Sequence, residues 1–411
     1  MRSVVLTSSR VGPLGDGFPR VFREITVNLG LMRPAEQRIV EYASFSGWVD
    51  RVELAAALDL PAPTVTTAVR KLLAAGSLVA GDTDTGSGRA GRPRQRLRVA
   101  GPAPMTGLVS WSHDRLRLRL LDPSGELVRE LGREQPVPDA GAHGLSPAVA
   151  ELVAAAGQVA DRRLAAVVVS VPAPFLRGTG TPVEHLGAED CPRRFPVRSS
   201  AGAERALSEE HGIPVLLEND ANLGALGELV HGAGAGVDFV HLTIGRHGFG
   251  SGVVVNGRLV RGARGYTGEL AHLQMDHDGP LCTCGGRGCL WMQLRHLTAM
   301  QEGAPATTLD FADLPDRAVA GDAGAARLLR DVGRTIGRPL AQLCTMLDPH
   351  RLVLDGALGP AMDHLVRGIR ESFSVDAPPA VADNIEVVVS PLRAADVLGA
   401  CELPCEHARH A

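Results

Sequence analysis

Four residues carry the sharpest chemistry in the sequence. His272 precedes Cys282 by ten residues, and Cys284 and Cys289 then complete a C-x-C-x4-C run. One imidazole and three thiolates form a tetrahedral donor set suited to structural zinc, with no open position for metal-assisted hydrolysis. Cysteines separated by a single residue do not readily form a relaxed disulfide. Gly285, Gly286 and Gly288 let the chain wrap tightly around an ion. The plainer alternative is a free-thiol cluster on a glycine loop. The seven cysteines are odd in number, and three lie within eight residues, which suits metal in a reducing compartment better than a disulfide framework. Cys191 and Cys344 read as small buried hydrophobes. Cys401, Cys405, His407 and His410 read as a helix end and a frayed tail rather than a second metal site.

The elements that must position this cluster follow from composition and periodicity. The 411 residues are 45% hydrophobic and 21% charged, an ordinary globular chain long enough for two or three domains. No apolar run reaches the ~18–20 residues of a membrane span. Val4-Val5-Leu6 is too short for a signal peptide's apolar region, so a cytoplasmic protein is expected. Residues 1–33 show no period and read as a disordered leader. Gly101–Pro104 reads as a stiff linker, with the boundary set at 101–105. Over 106–411, β-rich apolar runs alternate with helical stretches. They include Leu108–Ser110, Leu116–Leu121, Ala166–Val171, Val215–Leu217, Phe239–Ile244 and Leu352–Leu354. Asn256-Gly257 signals a hairpin. A β-hairpin followed by strand–helix–strand occurs twice, which predicts an α/β fold of two lobes with a cleft between them.

The region 34–100 has a different pattern. Ile39, Val40, Tyr42 and Ala43 recur at helical spacing until Gly47. A second helix fits Arg51–Leu58 with Asp50 as its N-cap. A third fits Pro63–Ala75, closed by Gly76. Val65, Val69, Leu72 and Leu73 form its inner face. A turn over Gly81–Gly88 and a basic strand Arg92–Val99 follow. Three short helices and a β-hairpin make a winged helix-turn-helix pattern.

Charge supports that pattern. Residues 61–100 hold seven basic and two acidic groups, net +5, in a chain whose net charge is −4. Local phosphate neutralisation of this kind drives duplex affinity. Only one of the basic residues is lysine, so arginine abundance is compositional and only its placement is informative. Thr64, Thr66, Thr67, Arg70 and Lys71 on the outer face are candidates for the major groove of double-stranded DNA. Arg89, Arg92, Arg94 and Arg96 on the wing are candidates for phosphates or a minor groove. The plainer reading is a solvated basic hairpin on a protein–protein docking domain. An aromatic content of 3% argues against a stacking-driven single-strand binder.

The chain resembles the ROK family of bacterial sugar-responsive repressors and sugar kinases. Cys282, Cys284, Gly285, Gly288 and Cys289 look like its zinc motif, with His272 as fourth ligand. Glu218-Asn219-Asp220-Ala221-Asn222 resembles its sugar-contact segment, and Gly268-Glu269-Leu270-Ala271-His272 its E-x-G-H segment, with Ala271 where glycine is usual. The resemblance spans about residues 34–400 and implies a ribonuclease H-like, actin-like ATPase pair of lobes. It further implies that Asn219, Asp220, Glu269 and His272 grip sugar hydroxyls. The alternative for Asp220 and Glu269 is helix capping or structural hydrogen bonding.

The departures matter as much. Where the family's first phosphate loop reads D-x-G-G-T, this chain has Val109-Ser110-Trp111-Ser112-His113. The second loop, G-T-G, appears as Arg246-His247-Gly248. Trp291 replaces the usual glutamate, and no clear match to the asparagine-rich loop falls in 181–190. Phosphoryl transfer is mostly positioning and charge stabilisation, so these changes predict no kinase activity. The expectation is a zinc-containing transcriptional regulator, a repressor, that binds an inverted-repeat operator as a homodimer or homotetramer and answers to a sugar effector. The rivals are an ATP-dependent sugar kinase and a ligand-independent DNA-binding protein whose sugar site has decayed.

Overall fold

The computed structural model describes residues 34–46, 48–84, 94–112, 115–134, 147–160, 162–171, 175–176, 181–182, 202–245, 248–263, 265–282, 284–302, 313–356 and 358–410. The expected leader, the wing tip with Arg89 and Arg92, His113, the 183–190 part of the asparagine-rich loop's expected position, Cys191 and Arg246-His247 lie outside the described residues. The described residues divide into two compact units, 34–102 together with 408–410, and 103–407.

The first unit holds α1 (Pro34–Ser46), α2 (Arg51–Ala57), α3 (Ala62–Ala74), β1 (Leu78–Asp84) and β2 (Arg94–Val99). Asp50 caps α2 in a full capping box with Glu53, which satisfies amides that the helix cannot pair internally. Gly76, at φ 70°, provides the left-handed turn that ends α3. Ile39, Tyr42, Leu54, Val65, Val69, Leu72, Leu78 and Leu97 form one core. Leu73 is half-buried at its margin. The strands pair antiparallel from Leu78↔Val99, and Val49 exchanges backbone hydrogen bonds with Leu97 at 2.8 and 2.7 Å. The helices and the wing are therefore stitched into one body.

The second unit contains two five-stranded sheets. The first is built from β3 (Met105–Ser112), β4 (Arg115–Leu121), β5 (Leu127–Glu134), β6 (Leu164–Val171) and β9 (Val215–Asn219), in the order β5-β4-β3-β6-β9. Helices α4 (Pro147–Val159) and α5 (Ala203–His211) and the short pair β7 (Phe175–Leu176) and β8 (Thr181–Pro182) occur within this stretch. After α6 (Asp220–His231), the second sheet takes β10 (Phe239–Gly245), β11 (Gly248–Val255), β12 (Arg258–Val260), β13 (Arg351–Gly356) and β14 (Glu386–Val389), in the order β12-β11-β10-β13-β14. Helices α7 (Leu290–Glu302), α8 (Leu314–Val319), α9 (Ala323–Leu347), α10 (Met362–Asp376) and α11 (Pro379–Ala382) belong to this half, and α12 (Ala395–His410) closes the chain.

Both sheets repeat one plan, an antiparallel three-strand meander followed by two parallel strands. This is the two-lobed ribonuclease H-like architecture expected from the sequence. Asn256 and Gly257 take positive φ angles of 54° and 68° in the hairpin between β11 and β12.

Two features differ from expectation. β5 is an additional edge strand. Its Leu127 and Val128 face solvent among charged neighbours, so it lacks the alternation that marks a half-buried strand. The C-terminus is also more than a helix end with a tail. α12 is a sixteen-residue helix. Val397, Ala400, Cys401 and Leu403 on it pack with Leu108, Leu216, Leu223 and Leu226 in a shared core. Cys344 is fully buried, as expected of a small hydrophobe. Among the described residues, no helix is long and apolar enough to cross a membrane.

Candidate functional site

The metal cluster is built on a knuckle. A short 3-10 turn, Leu270–His272, presents the imidazole. The chain then reverses, with the Met275 amide donating to the Gly288 carbonyl at 2.8 Å and the Leu290 amide to the Leu273 carbonyl at 2.9 Å. At the tip, Cys282 N–H donates to Gly286 O and Gly285 N–H to Cys282 O, at 2.8 and 2.9 Å. Gly288 has φ +57°, and a Cβ there would lie 1.7 Å from the Asp276 carbonyl oxygen, so only glycine closes the turn. One ligand atom each from His272, Cys282, Cys284 and Cys289 lies within 4.8 Å of all the others. His272 Nδ1 is 3.6 Å from Cys282 Sγ, and the sulfurs of Cys284 and Cys289 are 3.5 Å apart. The Gly286 amide points at Cys284 Sγ.

This donor set fits a thiophilic divalent ion. Burial and the adjacent Cys284 thiol hold the Cys289 thiol well above its ordinary range. Burial also opposes ionisation of Cys282, yet its hydrogen bonds with His272 and the Cys284 amide bring it below the usual thiol value. Three sulfurs this close resist joint ionisation, and a bound dication removes that opposition. The four residues can therefore hold a metal in a closed site.

The polar segment sits at the junction of β9 and α6. Asn219 is the N-cap of α6; its side-chain oxygen accepts from the amides of Ala221 and Asn222 at 2.9 and 3.1 Å. Capping therefore engages the Asn219 oxygen. Asp220 Oδ1 accepts from the Ala221 amide at 2.8 Å. Burial, with the negative charge of Asp396 adding to it, raises the Asp220 carboxyl to about 6. Glu269 is raised to about 7 by burial and by the charge of Asp220. The mutual influence puts Asp220 and Glu269 in one electrostatic neighbourhood, and His272 follows Glu269 on the same turn. A pair of reluctantly ionised carboxyls is able both to accept from and to donate to hydroxyl groups.

The first unit's candidates are placed as follows. Thr64, Thr66, Thr67, Arg70 and Lys71 are all exposed along α3. Thr66 Oγ1 bonds back to the Ala62 carbonyl at 2.8 Å, and Lys71 pairs with Glu36 at 3.3 Å. Arg94 opens β2 opposite Asp84. Arg96 donates to the Trp48 carbonyl at 2.7 Å, so it braces the wing against the α1–α2 link. Gln95, which no sequence signal marks, is an exposed wing residue whose side-chain oxygen accepts from the Arg51 guanidinium at 3.2 and 3.3 Å. Arg98, one of the seven basic groups counted in this region, stacks its guanidinium 5.2 Å from the Trp48 ring centroid.

Nothing in the sequence signals the buried ion network behind Asn219. Glu218, Arg261 and Glu406 are 43 and 145 residues apart along the chain and meet in one cluster. Where the family resemblance puts its first phosphate loop, β3 runs on as strand to Ser112, paired with β4 through Ser110↔Arg117 and Ser112↔Arg115. Trp291, half-buried, packs against the core of the second lobe.

The ROK family pattern matches residues 112–403. The chain is 27% identical over 361 residues to the DNA-binding transcriptional repressor Mlc of Escherichia coli (strain K12), covering 83% of this chain and 85% of that protein. It is 29% identical over 204 residues to the xylose repressor of Bacillus spizizenii, covering 49% of this chain and 53% of that one. It is 32% identical over 218 residues to a glucokinase of Halalkalibacterium halodurans, covering 49% and 64%. The chain thus spans about half the length of the xylose repressors it matches. Among solved structures, a ROK family transcriptional regulator described as a homolog of the E. coli MLC protein has a TM-score of 0.68 at 22% identity, over 91% of this chain and 97% of that one. A ROK family glucokinase from Streptomyces griseus, in complex with glucose and AMPPNP, has a TM-score of 0.56 at 23% identity, over 73% and 98%. At these identities the likeness establishes the fold. With the repeated two-sheet topology, the His-Cys knuckle and a match across most of its length, this chain belongs to the ROK family.

Proposed function

We propose that the protein is a DNA-binding transcriptional regulator, a repressor, whose ROK unit senses a sugar or sugar derivative. The observation that carries this reading is the separate α1–α2–α3–wing unit, with Thr64, Thr67 and Arg70 exposed on one helix face beside a basic hairpin. A face of this kind suits major-groove reading, and the wing arginines suit phosphate contacts. The similarity to Mlc over most of both chains supports it. Residues 34–100 would be the reading head and 106–411 the sensing and dimerising unit. Two copies would engage an inverted repeat.

The sugar would lie against Asn219, Asp220, Glu269 and the turn ending in His272. The metal of the knuckle would be zinc, matching three thiolates and an imidazole. Its role is structural, since it fixes the turn that carries Glu269. A ligand can alter DNA binding only through unequal affinity for two states of the protein.

A sugar kinase is the second reading, favoured by Asp220, a carboxyl raised to about 6 at the head of α6 and therefore suited to general-base work. The continuous β3 strand at the first phosphate-loop position weighs against it. Genome-wide mapping of bound DNA, together with an ADP-release assay over a sugar panel, separates the two. Bound promoters without turnover support the regulator; sugar-dependent ADP release overturns it.

A further inference from the structure

Glu218 and Glu406 are buried carboxylates that share one guanidinium. Arg261, just past β12, turns its Nε–Nη2 edge to Glu218, each nitrogen 2.7 Å from Oε2. It turns its Nη1–Nη2 edge to Glu406, at 2.8 and 3.0 Å. The other Glu218 oxygen accepts from the Asn219 amide at 3.0 Å and the Asn222 side-chain amide at 3.1 Å. A continuous polar chain therefore runs from α12 through Arg261 and Glu218 to the head of α6.

The same two helices also touch backbone to backbone. A Cβ at Gly399 of α12 would lie 1.8 Å from the Leu223 carbonyl oxygen, and one at Gly227 of α6 would lie 2.0 Å from that of Ala395. At these two glycines the backbones meet directly, flanked by the packed side chains of Leu223, Leu226, Val397 and Leu403. A close-packed contact of this kind transmits a displacement instead of absorbing it. Lysine cannot replace Arg261, because a point charge does not serve both faces of a planar fork.

We propose that Arg261 is the positioning residue of the ligand segment and couples occupancy of that segment to the C-terminal helix α12. The coupling to occupancy rests on reading Asn219, Asp220 and Glu269 as a sugar site, whereas the mechanical tie between α12 and residues 219–222 does not. By reciprocity, loosening the α12 end must loosen the α6 end.

Hydrogen–deuterium exchange on the full chain tests this. Glu406→Gln keeps the side-chain shape and one of the two acceptors that face Arg261, so it is the milder variant and is used alongside Arg261→Met. Without sugar, Glu406→Gln should speed exchange of residues 219–222 by about fivefold while α9 and α10 keep their native rates. Arg261→Lys should match it rather than rescue. Exchange at 219–222 in Glu406→Gln that stays native within about twofold overturns the proposal. In a second arm, D-glucose, D-xylose and N-acetyl-D-glucosamine are each added. A sugar that protects 219–222 in the native chain should also slow α12. In Glu406→Gln it should bind about threefold more weakly and leave α12 unprotected. Persistent α12 protection in the variant contradicts the coupling. If none of the three sugars changes exchange anywhere, the sugar reading fails while the sugar-free arm still decides the tie.

Discussion

His272 Nδ1 lies 3.6 Å from Cys282 Sγ, and His272 is also the last residue of the 3-10 turn that follows Glu269. One short turn thus carries a candidate metal ligand on one side and supports a candidate hydroxyl-binding carboxyl on the other. Metal binding and ligand response are predicted to fail together.

Cys282→Ser removes one of the four donors and leaves three sulfur or imidazole groups without a closed shell. Zinc content measured by mass spectrometry should drop from about one equivalent per chain to a small fraction of it. Thermal stability and sugar-dependent changes in DNA binding should fall in parallel. Full zinc stoichiometry in the variant contradicts the assignment.

Stability should depend on pH through Asp220 and Glu269. Burial raises them to about 6 and about 7, helped by the charge of Asp396 on the first and of Asp220 on the second. In the unfolded chain both titrate near 4. Between about pH 4 and pH 7 the folded protein therefore binds more protons than the unfolded one, and stability falls as pH rises through that window. Asp220→Asn combined with Glu269→Gln should be near-neutral at about pH 4 and more stable than native by roughly 1–3 kcal/mol at about pH 8, after discounting for partial exposure. Calorimetric unfolding across that range checks the difference. A difference that does not change with pH contradicts the shared, desolvated site.

Arg261→Met removes the guanidinium that two buried carboxylates share. Loss of one member of a buried network costs about 3–5 kcal/mol. Urea unfolding of the full chain should show a loss of that order in the transition of the ROK unit. A loss below about 1 kcal/mol would place the triad with exposed ion pairs.

The wing makes a separate prediction. Replacing Arg92 and Arg94 by alanine should weaken binding to all duplexes alike. It should also reduce the slope of log affinity against log salt by about 2, near one for each phosphate no longer neutralised. Thr67→Ala with Arg70→Ala should instead blur discrimination between operator and scrambled duplex. An unchanged salt slope in the wing variant removes those arginines from the interface.

The knuckle and the winged helix were legible because their determinants are local. His272 and the cysteines lie within eighteen residues, and Asp50, Pro63 and Gly76 mark the helix ends in the first unit as capping rules predict. β5 was not legible, since an edge strand with Leu127 and Val128 facing water loses the alternation a buried face imposes. The packing of α12 was missed because its apolar face contains cysteine and alanine and is interrupted by Pro404. The Glu218–Arg261–Glu406 triad could not be read at all. Its members are brought together only by the tertiary fold; Glu218 belongs to the Glu218–Asn222 segment, but nothing in the sequence pairs it with Arg261 or Glu406.

The central claim is that a sugar-sensing ROK unit controls a DNA-reading head. The most direct measurement is fluorescence anisotropy of the full-length protein with duplexes from the promoters it occupies in the cell, titrated with and without D-glucose, D-xylose and N-acetyl-D-glucosamine. Binding should be salt-dependent, and one of these sugars should shift it by at least about tenfold, the size of a typical coupling free energy. No binding to any duplex at low salt, or binding that none of the three sugars moves, would contradict it.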